Sequence, residues 1–209
     1  MRGAAEVCPE TVSEAASVFS AGIGSDAQSR VVLQGVPAVF SYRLEAEAGR
    51  RRRAGLGAIT SPDILQFLLG LPVGVPVPLA ALTRPERSVL RSAADGALLV
   101  EDQCVIRLAE PPVAVGLAMV PVRAWRRGLE HAGRFAPFCS RAMVLRRPPR
   151  DLEVLRMEAD FYGIGVVIAG EGAEPPELVV PPAPFHRNRF TAAGWLFLEE
   201  TYRQVTRSS

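Results

Sequence analysis

The spacing of apolar residues along the chain changes at Pro111-Pro112. Before this point, short apolar runs are separated by glycine, proline and capping residues, which predicts short helices and hairpin strands. After it, continuous apolar runs alternate with segments of helical period, which is typical of a sheet whose strands are connected by helices. We therefore predict the α+β class with three segments: an N-terminal arm at 1–57, a small helical domain at 58–110 and an α/β domain at 111–209 that includes a C-terminal helix.

The N-terminal segment contains one predicted helix and two predicted strands. The helix runs from Glu10 to Phe19, and β-branched and aromatic residues between Arg30 and Glu47 favour two strands broken between Gly35 and Pro37. A block of four like charges, Arg50 to Arg53, follows. Such a run is typical of a solvated linker or loop, and alternatively of an arm that grips a nucleic-acid backbone.

Helix start signals are the clearest feature of residues 58–110. Ser61-Pro62-Asp63 combines an N-cap, a first-turn proline and an early acid, which predicts a helix from Ile64 to Leu71. Thr83 and Glu86 have the spacing of a capping box and predict a helix that runs to about Ala94. The remaining predicted elements are a short helix at 77–82, strands at 98–100 and 104–108, and the turn Glu101-Asp102-Gln103 between them. Three helices and a hairpin in this order resemble a winged helix-turn-helix.

The helix that follows the capping box has two different faces. Val89, Leu90, Ala93 and Ala94 supply an apolar side. The residues on the other face, at spacings of three and four, are Arg84, Arg87, Ser88 and Arg91. A recognition helix presents its donors to the major groove in this way, so we expect these four residues to contact DNA. The alternatives are an ordinary solvated arginine face and a winged helix that binds another protein.

Residues after Pro112 predict strands that alternate with helices. The predicted strands are 113–120, 141–145, 164–169 and 177–180, and the predicted helices are 123–133, 151–162 and 191–205. The last helix carries Trp195, Leu196, Leu198 and Tyr202 at a spacing typical of a core or a dimer surface.

Three pieces of this segment resemble the restriction-endonuclease-like PD-(D/E)xK superfamily. They are the apolar strand Val113 to Ala118, the helix Trp125-Arg126-Arg127-Gly128-Leu129-Glu130-His131-Ala132, and Tyr162-Gly163-Ile164-Gly165-Val166. The resemblance covers roughly residues 113 to 169 and implies a small α/β domain of that fold. It also implies that the metal-binding Glu and the catalytic Lys of the family fall at Gly116 and Ala118, which lack both side chains. Only Glu101 or Asp102 could supply an acid upstream, and one carboxylate cannot hold the Mg²⁺ that activates water. We therefore expect no enzymatic activity and no catalytic residue.

The basic residues of the chain are all arginine, because its 24 cationic side chains include no lysine. This excludes a P-loop, a Schiff-base enzyme and a Glu-x-Lys nuclease, since each needs a lysine amine. GC-biased coding is an alternative cause of the missing lysine. Arginine stays charged and offers a planar fork that suits phosphate, carboxylate and guanine edges. The formal net charge is only +2, so an acidic partner must meet a local patch.

Cys8, Cys104 and Cys139 lack the spacing of a zinc site or a disulfide framework and are expected to be reduced and mostly buried. No apolar run approaches the roughly 18 residues that span a bilayer. We expect a cytoplasmic protein without cofactor, metal site or membrane partner.

These observations give two functional hypotheses. The first is a non-catalytic DNA-binding or regulatory protein, with double-stranded DNA as partner and a possible homodimer. Its predicted DNA-binding residues are Arg84, Arg87, Ser88, Arg91, Arg123, Arg126, Arg127 and Arg134. The second hypothesis is a protein-interaction scaffold in which the winged helix and the inactive nuclease fold both bind another protein. An enzymatic function requires a site that the sequence does not reveal.

Overall fold

The computed structural model describes residues 12, 26–93, 96–170 and 175–207, and it confirms the mixed α+β class. Its strands are β1 (Ala27–Leu33), β2 (Val36–Leu44), β3 (Pro76–Pro78), β4 (Leu98–Glu101), β5 (Cys104–Arg107), β6 (Val113–Val122), β7 (Ser140–Leu145), β8 (Gly165–Ile168) and β9 (Glu177–Val180). Its helices are α1 (Ala46–Ala54), α2 (Pro62–Gly70), α3 (Arg84–Leu90), α4 (Trp125–Gly133), α5 (Leu152–Tyr162) and α6 (Ala192–Arg207). The helix predicted at Glu10 to Phe19 lies outside the described residues, apart from Val12.

Residue contacts divide the chain into two compact units. Unit 1 comprises the described residues of Met1–Arg43 and Val115–Arg187, and unit 2 comprises those of Leu44–Ala114 and Asn188–Ser209. This division differs from the predicted boundaries at 57/58 and 110/111. The strands of the predicted arm pair into the sheet of unit 1, and the C-terminal helix belongs to unit 2. The local spacing of apolar residues cannot reveal pairings between segments so far apart in sequence, so these boundaries could not be predicted from it.

Unit 1 is built on a six-stranded mixed sheet in the order β1-β2-β6-β7-β8-β9. Strands β6, β7 and β8 are parallel, and the crossovers between them are α4 and α5. The hairpin of β1 and β2 turns at Gln34 and Gly35, whose φ angles of 52° and 71° suit a tight two-residue turn. The predicted strands and helices between 113 and 180 are confirmed within a few residues.

Helix α4 lies close to the sheet because of Gly128. A Cβ atom at this position would lie 2.7 Å from Met143 Sδ and 2.9 Å from Val122 Cγ2. Phe135, just beyond the helix, meets Phe40 of β2 edge to face with ring centroids 5.2 Å apart, and both rings are fully buried. These contacts fix the helix on one face of the sheet.

Unit 2 combines α1, α2, α3 and α6 with a small antiparallel sheet in the order β3-β5-β4. Its larger apolar cluster includes Leu65 and Leu68 of α2 and Trp195 of α6. The last helix, predicted as core or dimer surface, therefore contributes to a core: Trp195, Leu198 and Tyr202 are buried.

The prediction of a short helix at 77–82 is wrong. The segment forms strand β3 and then a single 3-10 turn, Leu79–Ala81. Pro76 and Pro78 cannot donate helical hydrogen bonds, and their fixed φ suits an edge strand. Strand β3 accordingly pairs with β5 in the register Pro76 to Ile106 and Pro78 to Cys104.

The prediction of a solvated linker or loop for Arg50 to Arg53 is also wrong, because these residues form the second half of α1. Glu47 lies three and four residues earlier on the same helix and accepts hydrogen bonds from Arg50 and Arg51 at 2.6 and 2.7 Å. Helix α1 ends at Gly55, which has a φ of 66°.

Arg51 is fully buried within unit 2 and is held by a second carboxylate. Its Nη1 and Nη2 atoms donate to the two oxygens of Glu199 on α6, at 2.6 and 2.7 Å. The Nε1 atom of Trp195 donates to the same carboxylate at 2.9 Å, and Ile59 N does so at 2.9 Å. Burial alone would lower the pKa of Arg51, but Glu199 and Glu47 outweigh it and raise that pKa. The arginine is therefore a charged structural element of the core.

Within the ranges that the structure describes, no helix is both long enough and apolar enough to cross a membrane.

Candidate functional site

Helix α3 begins at the capping box that the sequence predicts. The Thr83 hydroxyl accepts from Glu86 N at 3.4 Å, and Glu86 Oε2 accepts from Thr83 N at 2.7 Å. Hydrogen bonds from the Thr83 side chain and backbone lower the pKa of Glu86, so the cap is ionised at neutral pH. On its inner side, the helix packs Val89 and Leu90 against an apolar cluster of α2 and β5.

The four residues predicted to contact DNA on α3 lie together and are exposed: Arg84, Arg87, Ser88 and Arg91. Arg87 is partly engaged, because its Nε donates to Leu82 O at 3.1 Å and its Nη2 to Ala80 O at 3.3 Å. It thereby fixes the 3-10 turn that precedes the helix. In the described part of the chain, Arg84 and Arg91 have no ion pair or side-chain hydrogen bond.

Helix α3 is shorter than the prediction to Ala94, because it ends at Leu90. Arg91 keeps helical geometry as the C-cap, with φ −68° and ψ −20°. Its side chain therefore continues the face of Arg84 and Ser88. The spacing of seven residues between the two arginines corresponds to about two turns, or roughly 10 Å along the helix axis.

The hairpin of β4 and β5 has an acidic tip. Asp102 and Gln103 form its turn with φ angles of 48° and 60°, and Glu101 precedes them. All three side chains are exposed. Two carboxylates in this position repel phosphate, so the tip is unsuited to contact with a nucleic-acid backbone.

The arginines predicted to contact DNA on and near α4 belong to unit 1, whereas those of α3 belong to unit 2. All four are exposed: Arg123, Arg126, Arg127 and Arg134. The guanidinium of Arg126 stacks on the Trp125 ring at 4.2 Å and pairs with Asp151 at 3.4 Å. Arg134 pairs with Glu130 at 3.1 Å.

Arg127 donates to His131 Nε2 at 3.3 Å. Burial first, and then the charge of Arg127, lower the pKa of His131, so its ring is neutral and accepts this bond at neutral pH. Arg123 has no side-chain partner among the described residues. Three of these four arginines are thus engaged within unit 1.

The two positions that the sequence resemblance aligns with the nuclease Glu and Lys, Gly116 and Ala118, lie in β6 and provide no ligand atoms. The described residues contain no group of three or more His, Cys, Asp or Glu side chains that could hold a metal ion. Cys139 is fully buried, and burial raises the pKa of its thiol to about 12. A neutral thiol at this position is a poor nucleophile.

A cavity that the sequence did not reveal lies in unit 1 between α4 and α5. It has a volume of about 560 Å³ and is lined by Arg126, Leu129, Glu130, Gly133, Ala136, Arg141, Glu158, Tyr162 and Ile164. Arg141 is the second residue of strand β7, and the four residues that follow it in the strand are apolar. A single charged residue in such a strand is the signal that could have indicated it.

Comparisons of the chain with protein-family models, with curated proteins and with solved structures found no match.

Proposed function

We propose that this protein binds double-stranded DNA without catalysis, through a winged helix-turn-helix in unit 2 whose recognition helix is α3. The observation that carries the proposal is the pair Arg84 and Arg91, exposed on one helix face without a carboxylate partner in the described ranges. Because neither guanidinium is bound to a carboxylate of the described residues, both remain available to an external anion. A phosphate or a guanine edge gives its planar fork two acceptors at once.

The arrangement of elements in unit 2 supports this proposal. Helix α2, the 3-10 turn and α3 follow one another in the order of a helix-turn-helix, and the hairpin of β4 and β5 follows them. In a winged helix, a short strand before the second helix joins the hairpin, and β3 occupies this place beside β5. The apolar contacts of Val89 and Leu90 hold α3 against α2.

We assign different contacts to different residues of the helix. Arg84, Ser88 and Arg91 reach the major groove or its flanking phosphates, while Arg87 positions the helix through Leu82 O and Ala80 O. The acidic hairpin tip stays away from the phosphates, so α3 rather than the wing supplies the binding energy. The arginines of α4 add phosphate contacts only to the extent that DNA displaces their partners in unit 1.

We further propose that unit 1 is a restriction-endonuclease-like domain without catalytic activity. The order β6-α4-β7-α5-β8 follows the pieces that resemble that superfamily, and Gly116 and Ala118 lack its metal-binding and catalytic side chains. We infer that this unit serves binding or assembly rather than hydrolysis.

DNA binding can be tested with an Arg84→Ala/Arg91→Ala variant. We expect it to bind mixed duplex DNA at least about tenfold more weakly than the wild type at low salt. We also expect the slope of log K against log salt to fall by about two, because each lost phosphate contact releases about one counterion fewer. Fluorescence anisotropy at several salt concentrations measures both quantities.

The matched control is Arg203→Ala/Arg207→Ala, which removes the same charge from exposed positions of α6 in the same unit. It should bind DNA within about twofold of the wild type. Equal losses in both variants would mean that only net charge matters, and absence of binding at low salt would refute the DNA proposal.

The second candidate, a protein-interaction role, is favoured by the outer face of α5. Val154, Met157 and Phe161 follow one another at spacings of three and four and are exposed, Met157 by 72% and Phe161 by 82%. A row of this kind marks a contact surface. Two copies of such a row can pack on each other about a twofold axis, so we assign this face to a second copy of the chain.

A Phe161→Glu variant tests this assignment. If α5 forms the dimer contact, the wild type sediments as a dimer at micromolar concentration and the variant as a monomer, because a charge replaces the most exposed apolar side chain. Arg156→Glu, which changes a charged neighbour on the same helix, should leave the dimer largely intact. A monomeric wild type at about 100 μM would exclude a dimer of useful affinity.

A further inference from the structure

The cavity of unit 1 has the dimensions and the composition of a small-molecule site. Its volume of about 560 Å³ falls within the range of roughly 300–1,000 Å³ that is typical of ligand pockets. Leu129 and Gly133 line it from α4, Tyr162 lines it at the end of α5, and Arg141 and Ile164 line it where two strands begin. Its wall thus combines apolar side chains with four charged ones, namely Arg126, Glu130, Arg141 and Glu158.

Arg141 carries a charge that nothing in the described part of unit 1 neutralises. Its Nη2 donates to Tyr162 O at 2.5 Å, and its buried Nε has no hydrogen-bond partner. Burial lowers the pKa of Arg141. The one group that would raise this pKa is the Cys139 thiolate, but the thiol has a pKa of about 12 and is therefore neutral at pH 7. Partly buried charges are normally paired, since unpaired ones are costly.

The other charged residues of the wall differ from Arg141. Arg126 is engaged by Asp151 and by the Trp125 ring. Glu130 also lines the cavity, but its charge is balanced by Arg134. Glu158 is the remaining carboxylate of the wall. The guanidinium of Arg141, which has no carboxylate partner, attracts a single negative charge, while Glu158 repels a second one.

We propose that this cavity binds a small organic monocarboxylate. Its carboxylate accepts hydrogen bonds from the guanidinium of Arg141, which Tyr162 O holds in place, and its apolar part lies against Leu129, Ala136 and Ile164. The Nη atoms of the guanidinium then gain a charged acceptor that the protein does not supply, while the buried Nε stays out of reach of the ligand. This inference concerns unit 1 alone and does not depend on DNA binding by unit 2.

Phenylacetate is a suitable probe, and its titration into the full chain can be followed by calorimetry or by ligand-observed NMR. We expect a dissociation constant on the order of 1 mM, as suits a ligand of about ten heavy atoms. Phenylacetamide has the same shape without the charge and should bind at least about tenfold more weakly. Phenyl phosphate, a dianion, should also bind more weakly than phenylacetate.

Two variants test the cavity itself. Arg141→Gln should weaken phenylacetate binding at least about tenfold, because it removes the one cation of the wall that has no carboxylate partner. Gly133→Phe should abolish binding for a different reason: a Cβ atom at Gly133 has no other atom within 4 Å, so the ring enters open space. Arg156→Gln, an exposed arginine of α5 outside the cavity, is the matched control and should bind phenylacetate normally.

The proposal is overturned if phenylacetate does not bind the wild type at about 10 mM. It is also overturned if phenylacetamide or phenyl phosphate binds as well as phenylacetate, or if Arg141→Gln binds it as well as Arg156→Gln. Thermal unfolding of each variant shows whether it is folded. Should Arg141→Gln fail to fold, Gly133→Phe decides the outcome.

Discussion

Replacing Arg51 with methionine is expected to lower the free energy of unfolding by about 3–5 kcal/mol. The guanidinium is fully buried and joins Glu47 of α1 to Glu199 of α6. Without it, the buried Glu199 carboxylate loses its positive partner, and Glu47 keeps only Arg50. The cost of burying an unpaired charge exceeds what the apolar methionine side chain gains.

Urea denaturation of the two variants Arg51→Met and Arg53→Met provides the comparison. Both substitutions fall in the second half of α1, but Arg53 is exposed, and its replacement should change stability by no more than about 0.5 kcal/mol. A loss for Arg51→Met no greater than that for Arg53→Met would contradict the structural role of the buried charge.

A double substitution separates the mutual attraction of Arg51 and Glu199 from the packing of their side chains. Replacing Arg51 and Glu199 together with methionine should cost less than the sum of the two single changes, because neither charge is then left alone. Additive losses would mean that each side chain acts through packing rather than through their mutual attraction.

Replacing Gly128 with leucine is expected to destabilise the protein by about 3 kcal/mol, the upper end of the range for overpacked sites. The new Cβ would lie within 3 Å of Met143 Sδ and Val122 Cγ2. Val122 has a stiff branched side chain, and Met143 is fully buried, so neither can move away freely. Helix α4 must therefore rise from the sheet.

Gly133 on the same helix provides the control, because a Cβ atom there meets no other atom within 4 Å. Gly133→Ala should stabilise the protein by about 0.5–1 kcal/mol, since alanine loses less conformational freedom in a helix than glycine. The two substitutions should thus have opposite signs in thermal or urea unfolding. A neutral Gly128→Leu would show that the sheet does not hold α4 at this distance.

Local signals explain which elements could be predicted from the sequence. Ser61 and the pair Thr83 and Glu86 mark their helix starts correctly, because a cap acts on the nearest backbone N–H groups. The prediction of a helix at 77–82 fails because Pro76 and Pro78, at the start of that segment, favour an edge strand. The partner of that strand lies almost thirty residues later. The pairing of β2 with the sheet of unit 1 could not be predicted for the same reason.

In the candidate sites, too, local spacing predicts some features, whereas contacts between distant parts of the chain cannot be predicted from it. Helical spacing alone predicts that Arg84 and Arg91 share one face, and both side chains are exposed. Spacing could also have linked Arg51 to Glu47, but its main partner, Glu199, follows 148 residues later. The environment of Arg141 depends on how two crossover helices pack beside a strand, so the sequence shows one charged residue within β7 but not the cavity beside it.

Unit 2 is completed by a segment that follows unit 1 in the chain, and this order has a consequence for synthesis. Trp195 and Glu199 of α6 fill the core around α2 and neutralise Arg51. A ribosome therefore makes all of unit 1 before it supplies the helix that unit 2 needs. During that interval Arg51 lacks its main counterion, so the nascent unit 2 remains incomplete. Chains interrupted before residue 192 could then form the sheet of unit 1 but would present no stable α3 surface.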